Sequence, residues 1–263
     1  MPNIIIDSQR KHTEIPDLEE FYMHTHNFYE IFCFLSGNAQ YFVEGNIYSL
    51  KPGDILIMKK SEAHSLLIKT KAPYERIVLN FNEKAILSNR AEEIIAFLNQ
   101  KPLGKKNRYP FAIFKDKNWL YYLEMICNSK SVDEQSIYLT VLLNELYENF
   151  SKIDSGEKIN DNMTDVIKYI NQHLNEDLTL DNLCNRFFLS KTHLNRKFKQ
   201  ITGSTAWEYI LAKRLILAKE LLQGGVKPTS VFSRCGFNDY SSFFKAYKRK
   251  FSVNPKEDYI PNN

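Results

Sequence analysis

The chain has 263 residues, which is enough for two domains of ordinary size. Lysine and arginine outnumber aspartate and glutamate by 35 to 31, and no segment is long and apolar enough to span a bilayer. The start, MPNIIIDSQRKH, lacks the features of a secretory signal, and no CxxC pair occurs among the cysteines, Cys33, Cys127, Cys184 and Cys235. Composition therefore argues against a membrane protein and a zinc cluster, and we expect a cytoplasmic protein with reduced thiols.

Short runs of aromatic and β-branched residues between Met23 and Phe81 predict strands. The runs EIFCFL, AQYFVEG, DILIM and RIVLNF are separated by glycine and proline residues that break regular structure. This spacing is typical of a small antiparallel barrel or jelly roll. We therefore expect residues 1–82 to form a β domain.

Two motifs in this region resemble a cupin, the sugar- or metabolite-sensing domain often fused ahead of DNA-binding domains. They are HTHNFYEIFCFLSG, from His24 to Gly37, and KPGDILIMKKSEAH, from Lys51 to His64. The resemblance gives four residues the spacing of metal ligands in metal-binding cupins: His24, His26, Glu30 and His64. The second motif departs from that of enzymatic cupins at Lys59, Ser61 and Ile68. We expect no metal and no other cofactor, and those four residues would be the ligands of any ion.

A sensing barrel would hold a small polar ligand with a few polar groups among aromatic walls. The candidate effector-binding residues are His24, His26, Glu30, Gln40, His64 and Arg76. The alternative is that these side chains only hydrogen-bond within the barrel wall.

Helical patterns follow between residues 83 and 150. They cover Ala91–Leu98, Asn118–Asn128 and Val132–Phe150, and the third has an apolar stripe of Leu139, Leu142, Leu143, Leu146 and Phe150. We expect a supporting helical region, and the cupin resemblance implies that it also contributes to a homodimer. Residues 151–162 are polar and are predicted to be a linker.

The segment Leu180–Ile201 predicts two short helices joined by a tight turn. Ser190 is placed to cap the second helix, which buries Leu194, Phe198 and Ile201. The opposite face carries hydrogen-bonding and cationic side chains: Thr192, Asn195, Arg196 and Lys199. A capped helix with such a face, crossing a shorter helix, suits insertion into the DNA major groove.

The same pattern returns 49 positions later, in Val231–Phe251, with one extra residue in the turn. Asp239 takes the place of the cap, Phe243 and Tyr247 form the stripe, and the outer face carries Ser241, Phe244, Lys245 and Lys248. A continuous helical pattern over Ala206–Leu222 joins the copies. We expect it to set the two recognition helices about 34 Å apart, one turn of DNA.

Charge is distributed unevenly along the chain. Residues 161–263 contain 16 lysines and arginines against 10 acidic residues, whereas the rest of the chain contains 19 against 21. Basic clusters accompany both repeats: Lys191, Arg196, Lys197 and Lys199 in the first, Lys245, Lys248, Arg249 and Lys250 in the second. This is the distribution that phosphate contacts require.

From Val166 to Tyr259 the chain resembles the DNA-binding domain of the AraC family of bacterial transcription regulators. The stretches FLSKTHLNRKFKQITG and CGFNDYSSFFKAYKRKFSVNPKE carry the resemblance, and Pro228, Phe232 and Ser252 depart from the family pattern. The resemblance implies an α+β protein of two domains, with residues 163–263 as an all-α domain containing two helix-turn-helix motifs. It implies DNA contacts by Lys191, Thr192, Asn195, Arg196, Lys199, Tyr240, Ser241, Phe244, Lys245 and Lys248.

The leading hypothesis is a sequence-specific regulator of transcription that binds double-stranded promoter DNA and responds to a small molecule, such as a sugar, in the cupin domain. The resemblance further implies activation and contact with RNA polymerase. We expect no enzymatic activity, because no Ser/His/Asp grouping or phosphate-binding loop occurs in the sequence. Two alternatives stay open: a metal-dependent cupin enzyme with a DNA-binding tail, and a regulator without an effector.

Overall fold

A computed structural model of the chain describes residues 4–16, 23–87, 89–114, 118–153, 157–158 and 162–261. The chain divides into two compact units. The N-terminal unit comprises Met1–Phe21 and Phe28–Lys158, and the C-terminal unit comprises Tyr22–Asn27 and Ile159–Asn263. Within the described ranges, every helix is too short or too polar to cross a membrane.

The N-terminal unit is built on two antiparallel sheets. Its strands are β1 (Ile6–Thr13), β2 (Tyr29–Ser36), β3 (Ala39–Val43), β4 (Asn46–Ser49), β5 (Ile55–Met58), β6 (His64–Ile68), β7 (Tyr74–Phe81), β8 (Arg108–Tyr109) and β9 (Glu157–Lys158). The strand order is β1-β7-β2-β5-β8 in the first sheet and β6-β3-β4-β9 in the second. The predicted β domain is confirmed, but its sheets do not close into a barrel in the described residues. The edge strands of one sheet form no ladder with those of the other, so the arrangement is a two-sheet sandwich.

The central strand of the first sheet, β2, is buried on both faces. Phe32 and Phe34 of β2 pack between the sheets with Tyr41 of β3. Ile31 and Cys33, which alternate with them, face the helices on the other side. The run EIFCFL is therefore apolar at almost every position because both faces of this strand are covered.

The three helices predicted from the sequence cover the outer face of the first sheet. They are α1 (Ala91–Gln100), α2 (Trp119–Asn128) and α3 (Val132–Glu148). Ser131 caps α3 by accepting a hydrogen bond from the Glu134 N–H, and a 3-10 turn, Phe150–Lys152, follows the helix. The predicted stripe is buried as expected, with Leu139, Leu142, Leu143 and Leu146 fully inaccessible and Phe150 partly buried.

A buried ion pair fixes the loop after α1 to the sandwich. The Lys101 ammonium lies 3.0 Å from Glu62 Oε2, and both side chains are inaccessible to solvent. Glu62 also accepts hydrogen bonds from the Gly104 N–H and the Asn107 side-chain amide, each at 2.9 Å. Burial raises the pKa of Glu62, but Lys101 and these hydrogen bonds outweigh it, so the pKa lies below its usual value. The carboxylate therefore remains charged and anchors the loop.

The C-terminal unit contains the predicted helices. They are α4 (Asn162–Gln172), α5 (Leu180–Phe187), α6 (Lys191–Thr202), α7 (Ala206–Gln223), α8 (Pro228–Arg234) and α9 (Tyr240–Phe251). A capping box formed by Thr205 and Glu208 begins α7, and Gly224 follows its end. The helical pattern predicted over Ala206–Leu222 is thus confirmed to within one residue.

β1 and β9 lie where the sequence predicted no strand, as does the two-residue strand β8. β1 is polar at most positions, and its backbone pairs along its full length with β7. β9 lies inside the predicted linker 151–162 and pairs with Asn46 and Ile47 of β4. In both strands the partner's backbone groups supply the pairing, which leaves little signal in the side-chain pattern. Residues 154–156 and 159–161 of the linker are outside the described ranges.

Candidate nucleic-acid interface

The first helix-turn-helix motif consists of α5 and α6. Phe188, between them, has a left-handed backbone with φ of 55° and a side chain that is 95% exposed. Ser190 caps α6, because its hydroxyl accepts a hydrogen bond from the His193 N–H at 3.2 Å. The predicted stripe of α6, Leu194, Phe198 and Ile201, is buried. This burial leaves the opposite face of α6 toward solvent.

The solvent face of α6 carries Thr192, Arg196 and Lys199, all exposed. His193 joins them, because its Nδ1 lies 3.4 Å from Arg196 Nη2. His193 was not among the predicted contact residues, although its spacing of three residues from Arg196 places both on one side of the helix. These side chains offer donors and positive charge suitable for base edges and phosphates.

Asn195 has a different environment from the one predicted. Its Oδ1 accepts a hydrogen bond from the Ala206 N–H at 3.4 Å, and the side chain is only half exposed. Asn195 therefore ties α6 to the start of α7, and its contact with DNA stays a prediction.

Lys191 begins α6 and reaches back to α5. Its Nζ lies 2.8 Å from Asp181 Oδ1, and both side chains are more than half exposed. The hydrogen bond and charge of Asp181 raise the pKa of Lys191. An exposed ion pair contributes little to stability, so Lys191 is readily released to a phosphate.

The second motif, α8 and α9, keeps the same architecture. Pro228 is buried as the first residue of α8, where a missing N–H costs nothing. Gly236 takes the left-handed turn position with φ of 76°. Asp239 caps α9 by accepting a hydrogen bond from the Ser242 N–H at 2.8 Å, and Phe243 and Tyr247 are buried as predicted.

The solvent face of α9 is partly aromatic. Ser241, Lys245 and Lys248 are exposed, whereas Tyr240 and Phe244 are half-buried. The Tyr240 ring centre lies 6.1 Å from that of Phe244 and 6.0 Å from that of Phe232. Phe232, one of the departures from the family pattern, is accommodated by this edge-to-face contact.

In the N-terminal unit the structure brings Glu30 and His64 together between the sheets. The Tyr41 hydroxyl donates to Glu30 Oε1 at 3.0 Å, and His64 Nε2 lies 3.6 Å from Glu30 Oε2. His64 Nδ1 lies 2.8 Å from the Glu62 carbonyl oxygen. Burial lowers the pKa of His64, but Glu30 outweighs that effect and raises it. The Glu30 carboxylate and His64 Nδ1 therefore make polar contacts inside the sandwich.

Arg76 and Gln40 have their own side-chain partners. Arg76 is half-buried, and its Nη1 donates to the Tyr74 hydroxyl at 3.2 Å. Gln40 was wrongly predicted to face the interior. It alternates with the buried Ala39 and Tyr41 and donates to Ser49 Oγ on the exposed face. His24 and His26 belong to the segment Tyr22–Asn27 of the C-terminal unit, where their ring centres lie 5.9 Å apart.

Comparison with known protein families agrees with this division. A model of the AraC-like ligand binding domain matches residues 10–106, and a model of a helix-turn-helix domain matches residues 183–258. The first match covers β2 to β7 and the second half of β1, whereas β8 and β9 lie beyond it. The second covers both helix-turn-helix motifs except the first turn of α5.

Individual relatives match along most of their length. The HTH-type transcriptional activator RhaR of Mannheimia succiniciproducens is 24% identical over 96% of this chain and 90% of that protein. The HTH-type transcriptional activator RhaS of an Enterobacter species is 24% identical over 89% of this chain and 86% of that protein. Among solved structures, ToxT from Vibrio cholerae aligns with 18% identity over 96% of this chain and 97% of that chain, with a TM-score of 0.44. RhaR and RhaS are transcription regulators and not enzymes.

Proposed function

Because the chain belongs to the AraC family of transcription regulators, we propose that it binds specific promoter sequences through α6 and α9 and responds to a small-molecule effector. The observation that carries the proposal is the repeat itself. Two capped helices, each packed across a shorter helix, leave polar and cationic faces in solvent. This is the arrangement that major-groove recognition requires.

The two faces support different contacts with DNA. Arg196 is placed to donate to a guanine edge, and Thr192 to a base edge or a phosphate. On α9, Lys245 offers a similar donor and Phe244 an apolar contact for a thymine methyl group. Lys191, Lys199, Tyr240, Ser241 and Lys248 would set orientation through the backbone and give the binding its salt dependence.

Selection of bound sequences from a randomised duplex pool tests this function directly. We expect enrichment of one site, whose affinity exceeds that of unselected DNA by at least about 10³-fold. The logarithm of that affinity should fall linearly with the logarithm of salt concentration. A pool that stays random while the salt slope persists would limit the protein to non-specific DNA binding.

We further propose that the effector is a small polar metabolite, such as a sugar, bound between the sheets near Glu30, His64 and Arg76. Their position among aromatic side chains supports this choice, since a few polar groups in an apolar site fix a ligand's orientation. A panel of sugars should include one that raises the unfolding midpoint, and Arg76→Ala should reduce that shift. Shifts that Arg76→Ala leaves unchanged would place the ligand elsewhere.

A homodimer that contacts RNA polymerase in the cytoplasm completes the proposal. Apolar side chains on the solvent side of α2 and α3 support dimerisation: Tyr121 is 50% exposed, Ile137 55% and Val141 37%. The charge variant Ile137→Glu is expected to shift sedimentation of the protein toward one chain. A wild type that sediments as one chain at micromolar concentration would contradict the dimer.

A further inference from the structure

A cavity of about 540 Å³ lies at the edge of the helical layer of the N-terminal unit. Ala96 and Phe97 of α1 line one side, and Lys106 of the following loop lines another. Tyr147 of α3 and Phe150 of the 3-10 turn complete it. The volume lies within the range of small-molecule sites. None of these residues was among the predicted effector-binding residues.

Aromatic side chains form the floor of the cavity. The Phe97 ring meets Phe150 edge to face with ring centres 4.7 Å apart, and meets Tyr147 with ring centres 5.4 Å apart. Because each ring is held by its neighbours, the floor is rigid and presents both ring faces and edges. Such a surface favours a flat apolar ligand.

The charged residues that line the cavity indicate which charge the ligand should carry. Glu93, which also lines the cavity, is paired with Arg90 at 2.9 Å, and Lys101 is paired with Glu62. Lys106 is the charged lining residue that makes no ion pair in the parts of the chain that are described. Its ammonium lies 4.8 Å from the centre of the Phe150 ring. A ligand on the aromatic floor would therefore meet one uncompensated positive charge.

The C-terminal ends of α1 and α3 do not cancel the positive charge of Lys106. Carbonyl groups at a helix C-terminus carry partial negative charge. The Lys59 ammonium donates to the carbonyls of Asn99 and Lys101 at the end of α1. Lys152 bonds the Asn149 side chain at the end of α3. Each helix end thus has its own cation, and Lys106 remains available to a ligand.

The loop that presents Lys106 is constrained. The backbone of Lys106 is left-handed, with φ of 54°, which is uncommon for a residue other than glycine. Gly104 and Asn107, on either side of it, both bond the buried Glu62 carboxylate. The Tyr48 hydroxyl also donates to the Gly104 carbonyl at 2.7 Å. The strained position persists because its surroundings hold it, a pattern found at binding sites.

From these observations we propose that the cavity binds a small planar molecule that carries a carboxylate. The ring lies on Phe97, Tyr147 and Phe150, and the carboxylate pairs with the Lys106 ammonium. This site is separate from the polar residues between the sheets.

A ligand in this cavity would also affect DNA binding, and this inference rests on the proposed function. Phe150 begins the 3-10 turn that leads the chain out of α3 toward β9 and the end of the N-terminal unit. A ligand that stabilises this turn would act on the part of the N-terminal unit that is nearest in sequence to the DNA-binding helices. The binding step itself does not depend on DNA, so it is tested without it.

Isothermal titration of the full chain with 2-naphthoate tests the site. We expect saturable one-to-one binding that is at least about tenfold weaker in Lys106→Asn, because asparagine tolerates the left-handed backbone but lacks the ammonium. The matched control is Lys105→Asn, which removes a neighbouring charge outside the cavity and should leave the dissociation constant unchanged. The uncharged probe 2-naphthylmethanol should bind wild type and Lys106→Asn equally.

Ala96→Phe provides the steric test, because it fills the cavity from the surface of α1. It should abolish binding of both probes while the thermal unfolding midpoint stays within a few degrees of wild type. Binding of 2-naphthoate that survives Ala96→Phe, or that is equally weakened by Lys105→Asn, would overturn the proposal. Absence of binding at millimolar 2-naphthoate would also overturn it, and would leave the proposed DNA-binding function intact.

Discussion

Each helix-turn-helix motif has two residues with a left-handed backbone, one in the turn and one at the end of the recognition helix. Glycine occupies one of these two positions in each motif, but not the same one. In the first motif Phe188 occupies the left-handed turn and Gly203 ends the recognition helix. In the second, Gly236 occupies the turn and Ser252 ends the helix. The two copies therefore share a left-handed backbone at both positions, but different residue types adopt it.

The exchange follows from what surrounds each turn. Phe188 projects into solvent, so the only cost at that position is the backbone strain of a residue with a Cβ. Gly236 lies against other backbone: a Cβ there would be 2.4 Å from the Leu174 carbonyl oxygen and 2.7 Å from Arg214 Nη2. The turn of the second motif is therefore part of the core of its unit, whereas the turn of the first is surface. Substitutions in both motifs test how the two motifs differ.

Gly236→Ala should have the largest effect. The added Cβ combines left-handed strain with a clash against backbone that cannot move cheaply, so we expect a loss of more than about 3 kcal/mol in the free energy of unfolding. Urea unfolding followed by Trp207 fluorescence in a Trp119→Phe background measures it, because the two tryptophans lie in different units. Gly203→Ala, at the same φ of 76°, is the control and should cost only about 1 kcal/mol. Equal losses would show that the contact with Leu174 is unimportant.

Arg196→Ala tests whether the first motif recognises bases through polar contacts. We expect a loss of about 1 to 3 kcal/mol at the selected site with little change on random DNA. Fluorescence anisotropy on both duplexes measures it, and Lys168→Ala, an exposed residue of α4, serves as the control. Phe244→Ala on α9 should cost less, because it removes only an apolar contact. An equal loss on both duplexes would reduce Arg196 to a phosphate contact.

Phe188→Gly should be neutral or stabilising by up to about 1 kcal/mol. Relief of the left-handed strain gains about 1 to 2 kcal/mol, and the greater freedom of glycine in the unfolded chain offsets part of this gain. The same urea experiment detects it. If the variant instead loses stability, the exposed ring makes contacts that the turn geometry does not reveal.

The smallest difference lies in the two caps. The hydrogen bond from the Ser242 N–H lowers the pKa of Asp239 below 3.8, so its stabilising effect is present above about pH 3.8 and is lost as pH falls through the lowered value. The Ser190 hydroxyl does not titrate. Below about pH 3.8 the Ser242 amide resonance should therefore move with pH while that of His193 stays constant. Asp239→Asn, which keeps a cap, should stop the movement; a Ser242 shift that continues in this variant would assign it to another group.

Periodicity and capping residues predicted α5 to α9 of the C-terminal unit closely, but not α4. Ser190 and Asp239 are caps, and Leu194, Phe198, Phe243 and Tyr247 are buried where the pattern placed them. A helix closes its own hydrogen bonds, so its limits and its buried face are written locally in the sequence. The same locality predicted the helices of the N-terminal unit.

Pairing between distant segments was not predictable in this way. β1 and β9 form because β7 and β4 offer free backbone groups, and the two sheets remain separate because their edges are not joined in the described residues. Gln40 was misplaced for the same reason: alternation separates two faces of a strand but does not say which of them is inside.

The sequence by itself determined the family, the two recognition helices and their solvent faces, because each depends on residues close together in the chain. Only the tertiary structure decided that Asn195 bonds α7, that Gly236 abuts Leu174, and that α1, a loop and the end of α3 enclose a cavity at Lys106. These features depend on atoms brought together from separate segments, and the distances that define them exist only after the chain has folded.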